Sequence, residues 1–176
     1  MSKAVLISIK PKWVELIASG HKTFELRKTR PKIDTPFKCY IYCTKPSFEH
    51  DDFFVVNAED GKARGFYGGS KIVGEFVCNE IMTDLHGEHD VFFEHHACVT
   101  VEEQREYAPD GALYGWHISD LVIYDEPKEL SEFMKPCEPD EDGIYLCEQC
   151  KRLVENYGCG GTILRPPQSW CYVEEL

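Results

Sequence analysis

Gly20-His21-Lys22-Thr23-Phe24-Glu25-Leu26-Arg27 places an ammonium, a hydroxyl, a carboxylate and a guanidinium within six residues. The residues before it read as a helix over 11–19. Pro11 suits a first helical position. Trp13, Leu16 and Ile17 recur at helical spacing. Gly20 suits the left-handed residue that ends a helix. From Thr23 the period changes to two, which predicts a strand over 23–29. Phe24 and Leu26 fall on one face, and Thr23, Glu25 and Arg27 on the other. The helix end thus delivers Lys22 beside a polar strand face. Such a cluster binds an anion, a base edge or a carbonyl; the plain alternative is a surface strand with a cross-face ion pair.

Charge is unevenly distributed around this stretch. The chain of 176 residues carries a net charge of −12. Residues 1–46 hold ten Lys and Arg against three acids, whereas residues 47–176 hold nine against twenty-eight. A basic first quarter on an acidic body forms a local positive patch, provided chain segments map onto faces. The acidic remainder disfavours long nonspecific tracking along a duplex, because phosphate contacts dominate that affinity. Capture of a single-stranded segment, one nucleotide or a small molecule remains compatible.

The length fits one domain, 1–176, with embellishments. No apolar run reaches transmembrane length and no signal-peptide pattern follows Met1, so the expectation is a cytoplasmic protein without membrane association. Nine cysteines, an odd number, with several inside strand-like runs, point to a reducing compartment rather than a disulfide framework.

Residues 4–9 read as a buried first strand. In 37–44, Phe37, Cys39, Ile41 and Cys43 share one face, and Lys38, Tyr40, Tyr42 and Thr44 the other. Residues 45–70 read as a long excursion with its own strand or hairpin, its turns marked by Gly61, Gly65, Gly68 and Gly69. Residues 71–82 form the next strong strand signal. Gly74 marks a bulge or a close backbone approach. Glu75 is the polar residue in an apolar run, so it needs a partner, which Lys22 or Arg27 would supply; a solvent-facing edge residue is the alternative. Residues 83–99, with His86, His89, His95 and His96, read as a polar loop in preference to a metal site. Thr100-Val-Glu-Glu103 fits a capping box, which predicts a helix from 101 to about Tyr107. Residues 112–124 read as strand, turn at Ser119-Asp120, strand. A closing strand over 169–173 follows Pro166-Pro167.

Taken together, Ser8-Ile9-Lys10-Pro11, Leu16-Ile17, Gly20, Lys22-Thr23, Glu25 and Arg27 resemble the opening signature of the ASCH domain, a family with the PUA-like superfold. Lys71-Ile-Val-Gly-Glu-Phe76, Tyr114-Gly-Trp-His-Ile-Ser119 and Pro166-Pro-Gln-Ser-Trp-Cys-Tyr172 strengthen the likeness. It does not obviously cover 46–70, 83–112 or 137–159. The resemblance implies an α+β fold: a PUA-like small β-barrel with short flanking helices. It also implies recognition of RNA or of unusual nucleobases in a cleft of the barrel. Some members of the family are hydrolases. Small bacterial ones deacetylate N4-acetylcytidine with a Lys, a Thr and a Glu, and others are reported as ribonucleases. Lys22 and Arg27 match that pattern. Glu25 stands two before Arg27, where the amidohydrolases carry their nucleophilic Thr. Thr23 lies two residues away, about 6.6 Å along a strand, so the shared mechanism does not transfer.

The expected function is therefore binding of RNA or a modified nucleotide by Lys22, Thr23, Glu25 and Arg27, with Lys10, Trp116, Ser119 and Trp170 as neighbours. Lys supplies a compact cation, Arg a planar fork, and the aromatics stacking platforms. The enzymatic alternative is metal-independent hydrolysis of RNA or an acylated nucleoside at the same cleft, with Lys22, Glu25 and Glu75 as candidate catalytic residues. A third reading is an acidic protein that engages a protein partner, inhibiting a nucleic-acid enzyme.

Cys137, Cys147, Cys150 and Cys159 have the spacing C-x9-C-x2-C-x8-C in a polar, Gly-containing stretch, 137–159, read as an insertion within the domain. Four thiolates, two of them as Cys147-Glu-Gln-Cys150, suit a structural zinc ion that supplies folding energy the stretch lacks. Free thiols in a surface loop are the competing reading.

Overall fold

The computed structural model describes residues 2–45, 69–85, 89–109, 112–136 and 161–176 with side chains, and 53–57 and 63–67 as backbone. The four cysteines of the expected zinc site, His86, and the turn glycines Gly61 and Gly68 lie outside the described residues. In chain order the elements are β1 (Lys3–Ile9), α1 (Pro11–Ala18), β2 (Phe24–Arg27), β3 (Phe37–Cys43), β4 (Phe53–Asn57), β5 (Ala63–Tyr67), β6 (Lys71–Cys78) and β7 (Ile81–Asp84). Then come α2 (Asp90–His96), α3 (Val101–Tyr107), β8 (Leu113–His117), β9 (Ser119–Lys128), a 3-10 turn (Leu130–Glu132) and β10 (Trp170–Glu174).

A five-stranded sheet runs β10-β1-β3-β6-β9, a three-stranded sheet runs β2-β8-β7, and β4-β5 form a separate hairpin. β1 and β3 are parallel, with α1 in the connection between them; the other pairs are antiparallel. Alternation along β1 and β3 fills both faces of the larger sheet. Val5, Ile7, Ile9, Phe37, Cys39, Ile41 and Cys43 pack with Val14 and Ile17 of α1 and with Trp116. Ala4, Leu6, Tyr40 and Tyr42 pack on the opposite face with Phe133, Ile163 and Val173. A third cluster of Phe24, Leu26, Phe93, Ala97 and Leu113 ties α2 to the smaller sheet.

The two sheets share one long antiparallel ribbon. β6 pairs with β9 up to Val77↔Ser119, and the chain then carries on as β7 pairing with β8 from Ile81↔Trp116. A backbone hydrogen bond from His117 to Glu80 spans the corner. Gly74 is needed on this ribbon: a Cβ there would lie 2.4 Å from the Val122 carbonyl oxygen, and the register slips beside it. The expected close approach is therefore present.

Four expectations need correction. First, the barrel does not close. β2 and β10 are edge strands of different sheets with no ladder between them. β2 is only four residues long, and Pro166-Pro167, which lack N–H donors, precede β10. Side chains span the gap instead. Arg27 NH1 donates to Ser169 Oγ at 3.3 Å, Trp170 Nε1 to Thr29 Oγ1 at 3.0 Å, and the Lys32 N–H to Tyr172 Oη at 2.7 Å. Second, the His-rich tract contains α2, anchored by the fully buried Phe93. Third, Ser119-Asp120 opens β9 rather than forming a turn between hairpin strands, because Ile118 marks a passage from one sheet to the other. Fourth, β9 does not stop at residue 124, where the sequence pattern ends it, but runs on through Pro127 to Lys128. No helix among the described residues is long and apolar enough to cross a membrane.

Candidate functional site

Gly20 ends α1 with φ +77°. The Lys22 N–H donates back to the Leu16 carbonyl at 2.9 Å, so the helix terminus itself fixes where Lys22 departs. β2 then sets Glu25 and Arg27 on one face. The three side chains converge. Lys22 Nζ lies 3.4 Å from Glu25 Oε2, and Arg27 NH2 lies 2.9 Å from Glu25 Oε1. All three residues are buried, at 2%, 5% and 7% exposure respectively. Removing charges from water costs several kcal/mol per ion unless they are paired and hydrogen-bonded. Here they are. Lys22 Nζ also donates to the Ala97 carbonyl at 2.6 Å, and Arg27 NH2 to the Ser8 carbonyl at 2.7 Å.

Two cations share one anion, which leaves a net positive charge at the floor of a cleft of about 730 Å³. Burial lowers the Lys22 pKa from its ordinary value, and the Glu25 carboxylate offsets part of that shift. The Lys22 ammonium lies 5.1 Å from the centroid of the Trp13 ring. One of its three N–H bonds has no acceptor among the described residues once Ala97 and Glu25 are served. The chemistry of the arrangement suits an anion or a carbonyl oxygen, and a lowered Lys22 pKa suits proton transfer at Nζ.

The walls come from four places. α1 and the residue before it give Trp13 and Lys10; α3 and its approach give Val99, Glu103 and Tyr107. The end of β3 gives Tyr42, with Thr44 and Lys45 beyond it, and the strap before β10 gives Pro166, Pro167 and Gln168. The strap is tied down by Ser8, whose Oγ donates to the Pro167 carbonyl at 2.6 Å.

Of the residues expected at the site, Lys10, Lys22, Glu25 and Arg27 line the cleft. The others lie elsewhere. Thr23 precedes β2, and its hydroxyl sits 3.3 Å from His96 Nδ1, so it does not share the cleft face with Glu25. Trp116 is fully buried among core side chains, against Phe37 and Trp170. Ser119 Oγ donates to the Val77 carbonyl at 2.8 Å within the ribbon. Trp170 spans the open gap to Thr29. Glu75 pairs with Lys38 Nζ at 3.2 Å and accepts from the Tyr124 hydroxyl, not from Lys22 or Arg27. Its register partner on β3 is Tyr40, whose ring packs into the opposite core, so Glu75 faces away from the cleft.

The sequence reading did not name Trp13, Lys45, Glu103 and Tyr107 as site residues. Glu103 and Tyr107 carried a usable signal, since four residues apart on a helix means one shared face. The Ala97 carbonyl carried none. Among the described residues no group of His, Cys, Asp and Glu is placed to hold a metal ion.

In sequence, no family model matches the chain, and no curated protein does. Solved structures do match its fold. ASCH from Zymomonas mobilis is 17% identical, with a TM-score of 0.59 over 98% of this chain and 88% of that one. A serine-to-alanine mutant of that protein gives a TM-score of 0.61 at 16% identity over 98% of this chain and 89% of that one. A tyrosine-to-phenylalanine mutant gives 0.60 at 17% identity, covering 99% and 92%. Likeness at this identity is a likeness of fold.

Proposed function

Starting from the ASCH fold, we propose that this chain binds an unpaired nucleotide, within RNA or as a modified nucleotide, in the cleft above β2. The observation that carries this reading is the buried Lys22–Glu25–Arg27 cluster with its net positive charge, facing a cleft of about 730 Å³ walled in part by Trp13 and Tyr107. That volume suits a ligand of nucleotide size. The cations suit a phosphate or a carbonyl edge, and the aromatics suit a base face. Lys10, Lys12, Lys28 and Lys45 are exposed. Lys12 lies 4.3 Å from the centroid of the Trp13 ring and Lys28 lies 4.6 Å from that of Tyr107, which brings further positive charge to the cleft mouth.

The lowered pKa of Lys22 beside a carboxylate favours a second reading, metal-independent hydrolysis in the same cleft. In it Lys22 polarises a carbonyl or phosphoryl oxygen, and Glu25 acts as general base toward water. One experiment separates the two. The protein is incubated with a single-stranded RNA pool containing natural modifications, in the presence of chelator, and bound and free fractions are read by mass spectrometry. RNA retained unaltered by the wild type and lost from Lys22→Ala supports binding. Shortened or deacylated products that vanish in the same variant put hydrolysis first. Neither retention nor products would count against both and turn attention to a protein partner for the acidic surface.

A further inference from the structure

The cleft holds two carboxylates, and they are engaged differently. Glu25 has both oxygens taken, Oε2 by Lys22 and Oε1 by Arg27. Glu103 is held from one side only, by Thr100. Its Oε2 accepts from the Thr100 N–H at 2.9 Å, which completes the capping box of α3, the Thr100 hydroxyl supports the same carboxylate, and no cation is in salt-bridge contact with it among the described residues. The capping bond orients what would otherwise be a freely rotating surface side chain. It also lowers the Glu103 pKa, an effect to which the charge of Lys12 adds, so the carboxylate stays ionised. One turn further along, Tyr107 lines the same cleft. α3 thus offers an aromatic face and a fixed anionic acceptor, while Lys10 and Lys45 line the cleft as cations and Lys22 lies at its floor.

From this juxtaposition we infer that Glu103 sets the base preference of the site: bases with an exocyclic amino group are taken in preference to uracil. The inference rests on the nucleotide reading given above. A carboxylate oxygen accepts an amino N–H, as from N4 of cytosine. Uracil has no such group, and its pairing edge sets a carbonyl oxygen on each side of its one N–H. That edge brings an oxygen lone pair against the ionised carboxylate. The phosphate keeps to the lysines.

The test measures affinities of short single-stranded oligoribonucleotides of C, A or U for the wild type and for Glu103→Gln, by fluorescence anisotropy. Glutamine retains the capping box, because its side-chain carbonyl still accepts from Thr100. The wild type should bind C and A at least about fivefold tighter than U. In Glu103→Gln the difference should shrink to about twofold or less, with the melting temperature unchanged. A wild type that binds all three alike overturns the inference, as does a folded Gln variant that keeps the preference. Should the variant not fold, an oligomer of N4,N4-dimethylcytosine decides with the wild type alone. It lacks the amino N–H and must bind as weakly as U; binding as tight as C overturns the inference. Retention of no oligomer at all defeats the nucleotide reading itself, a distinct outcome that removes this inference with it.

Discussion

Arg27 NH2 lies 2.7 Å from the Ser8 carbonyl oxygen, across a gap between two sheets that no ladder of backbone hydrogen bonds crosses. The same nitrogen is 2.9 Å from Glu25 Oε1, so one guanidinium both joins the sheets and gives the cleft floor its net positive charge.

Arg27→Ala is therefore expected to destabilise the fold by about 3–5 kcal/mol, since it strips a buried carboxylate of one cation and leaves a carbonyl without its donor. Arg27→Lys should recover only part of this, because a single ammonium does not reproduce the fork that serves Glu25, Ser8 and Ser169 together. Urea unfolding of both variants measures the difference. An Ala variant as stable as the wild type would mean the gap is held by other contacts.

Lys22 gives a pH signature. Its folded-state pKa is lowered by burial, so between that value and the unfolded value of 10.5 the unfolded chain binds more protons than the folded one. Stability contributed by this group is lower below the depressed folded pKa and rises with pH toward 10.5. Burial raises the pKa values of Tyr124 and Cys78, which act in the opposite direction at alkaline pH. The measurable quantity is thus the stability of the wild type minus that of Lys22→Met. It should increase on going from neutral pH toward 10, and a flat difference would show that Lys22 titrates normally.

Glu75→Gln should leave ligand binding in the cleft unaltered, because Glu75 sits with Lys38 and Tyr124 on the other side of the large sheet. A loss of about 1 kcal/mol in stability is expected from the weakened, half-buried pair with Lys38. Weaker cleft binding at unchanged stability would contradict this placement.

Gly74→Ala should cost about 1–3 kcal/mol, as insertion into packed regions does. The added Cβ would meet the Val122 carbonyl at 2.4 Å, and a backbone atom has little room to move. Thermal melting checks it. A neutral substitution would show that β9 shifts away freely at this point.

The C-x9-C-x2-C-x8-C spacing of Cys137, Cys147, Cys150 and Cys159 carries a separate proposal, a structural zinc ion. Protein purified without added metal should contain about one equivalent of zinc by elemental analysis. Less than about one-tenth of an equivalent would end the proposal.

What the sequence made legible was local. Pro11 and Gly20 bracket α1 because helix starts and stops depend on neighbouring backbone. Thr100 and Glu103 form their capping box because both partners lie within one turn. The convergence of Lys22, Glu25 and Arg27 was legible too, since strand periodicity and a helix end suffice to bring them together. What escaped was long-range. The partner of Glu75 depends on the register of β6 with β3 and β9, including the slips beside Gly74. The Ala97 carbonyl that receives Lys22 lies 75 residues away along the chain. α2 was masked by its histidines and acids, although Phe93 beneath Gly115 decides its position. Closure of the barrel was an expectation from resemblance, and no single residue could have announced that β2 and β10 would be joined by side chains alone.

That arrangement has a cost outside the folded monomer. Two edge strands that no other strand pairs with among the described residues are templates onto which a strand from another chain can add. Arg27, Trp170 and Tyr172 occupy the space along this border, and Pro166-Pro167 withhold donors at its entrance. The guanidinium that makes the cleft floor positive is thus also a guard against self-association. A substitution that loosens it would be felt in concentrated solution as oligomers and precipitate, before any loss of fold in a dilute one.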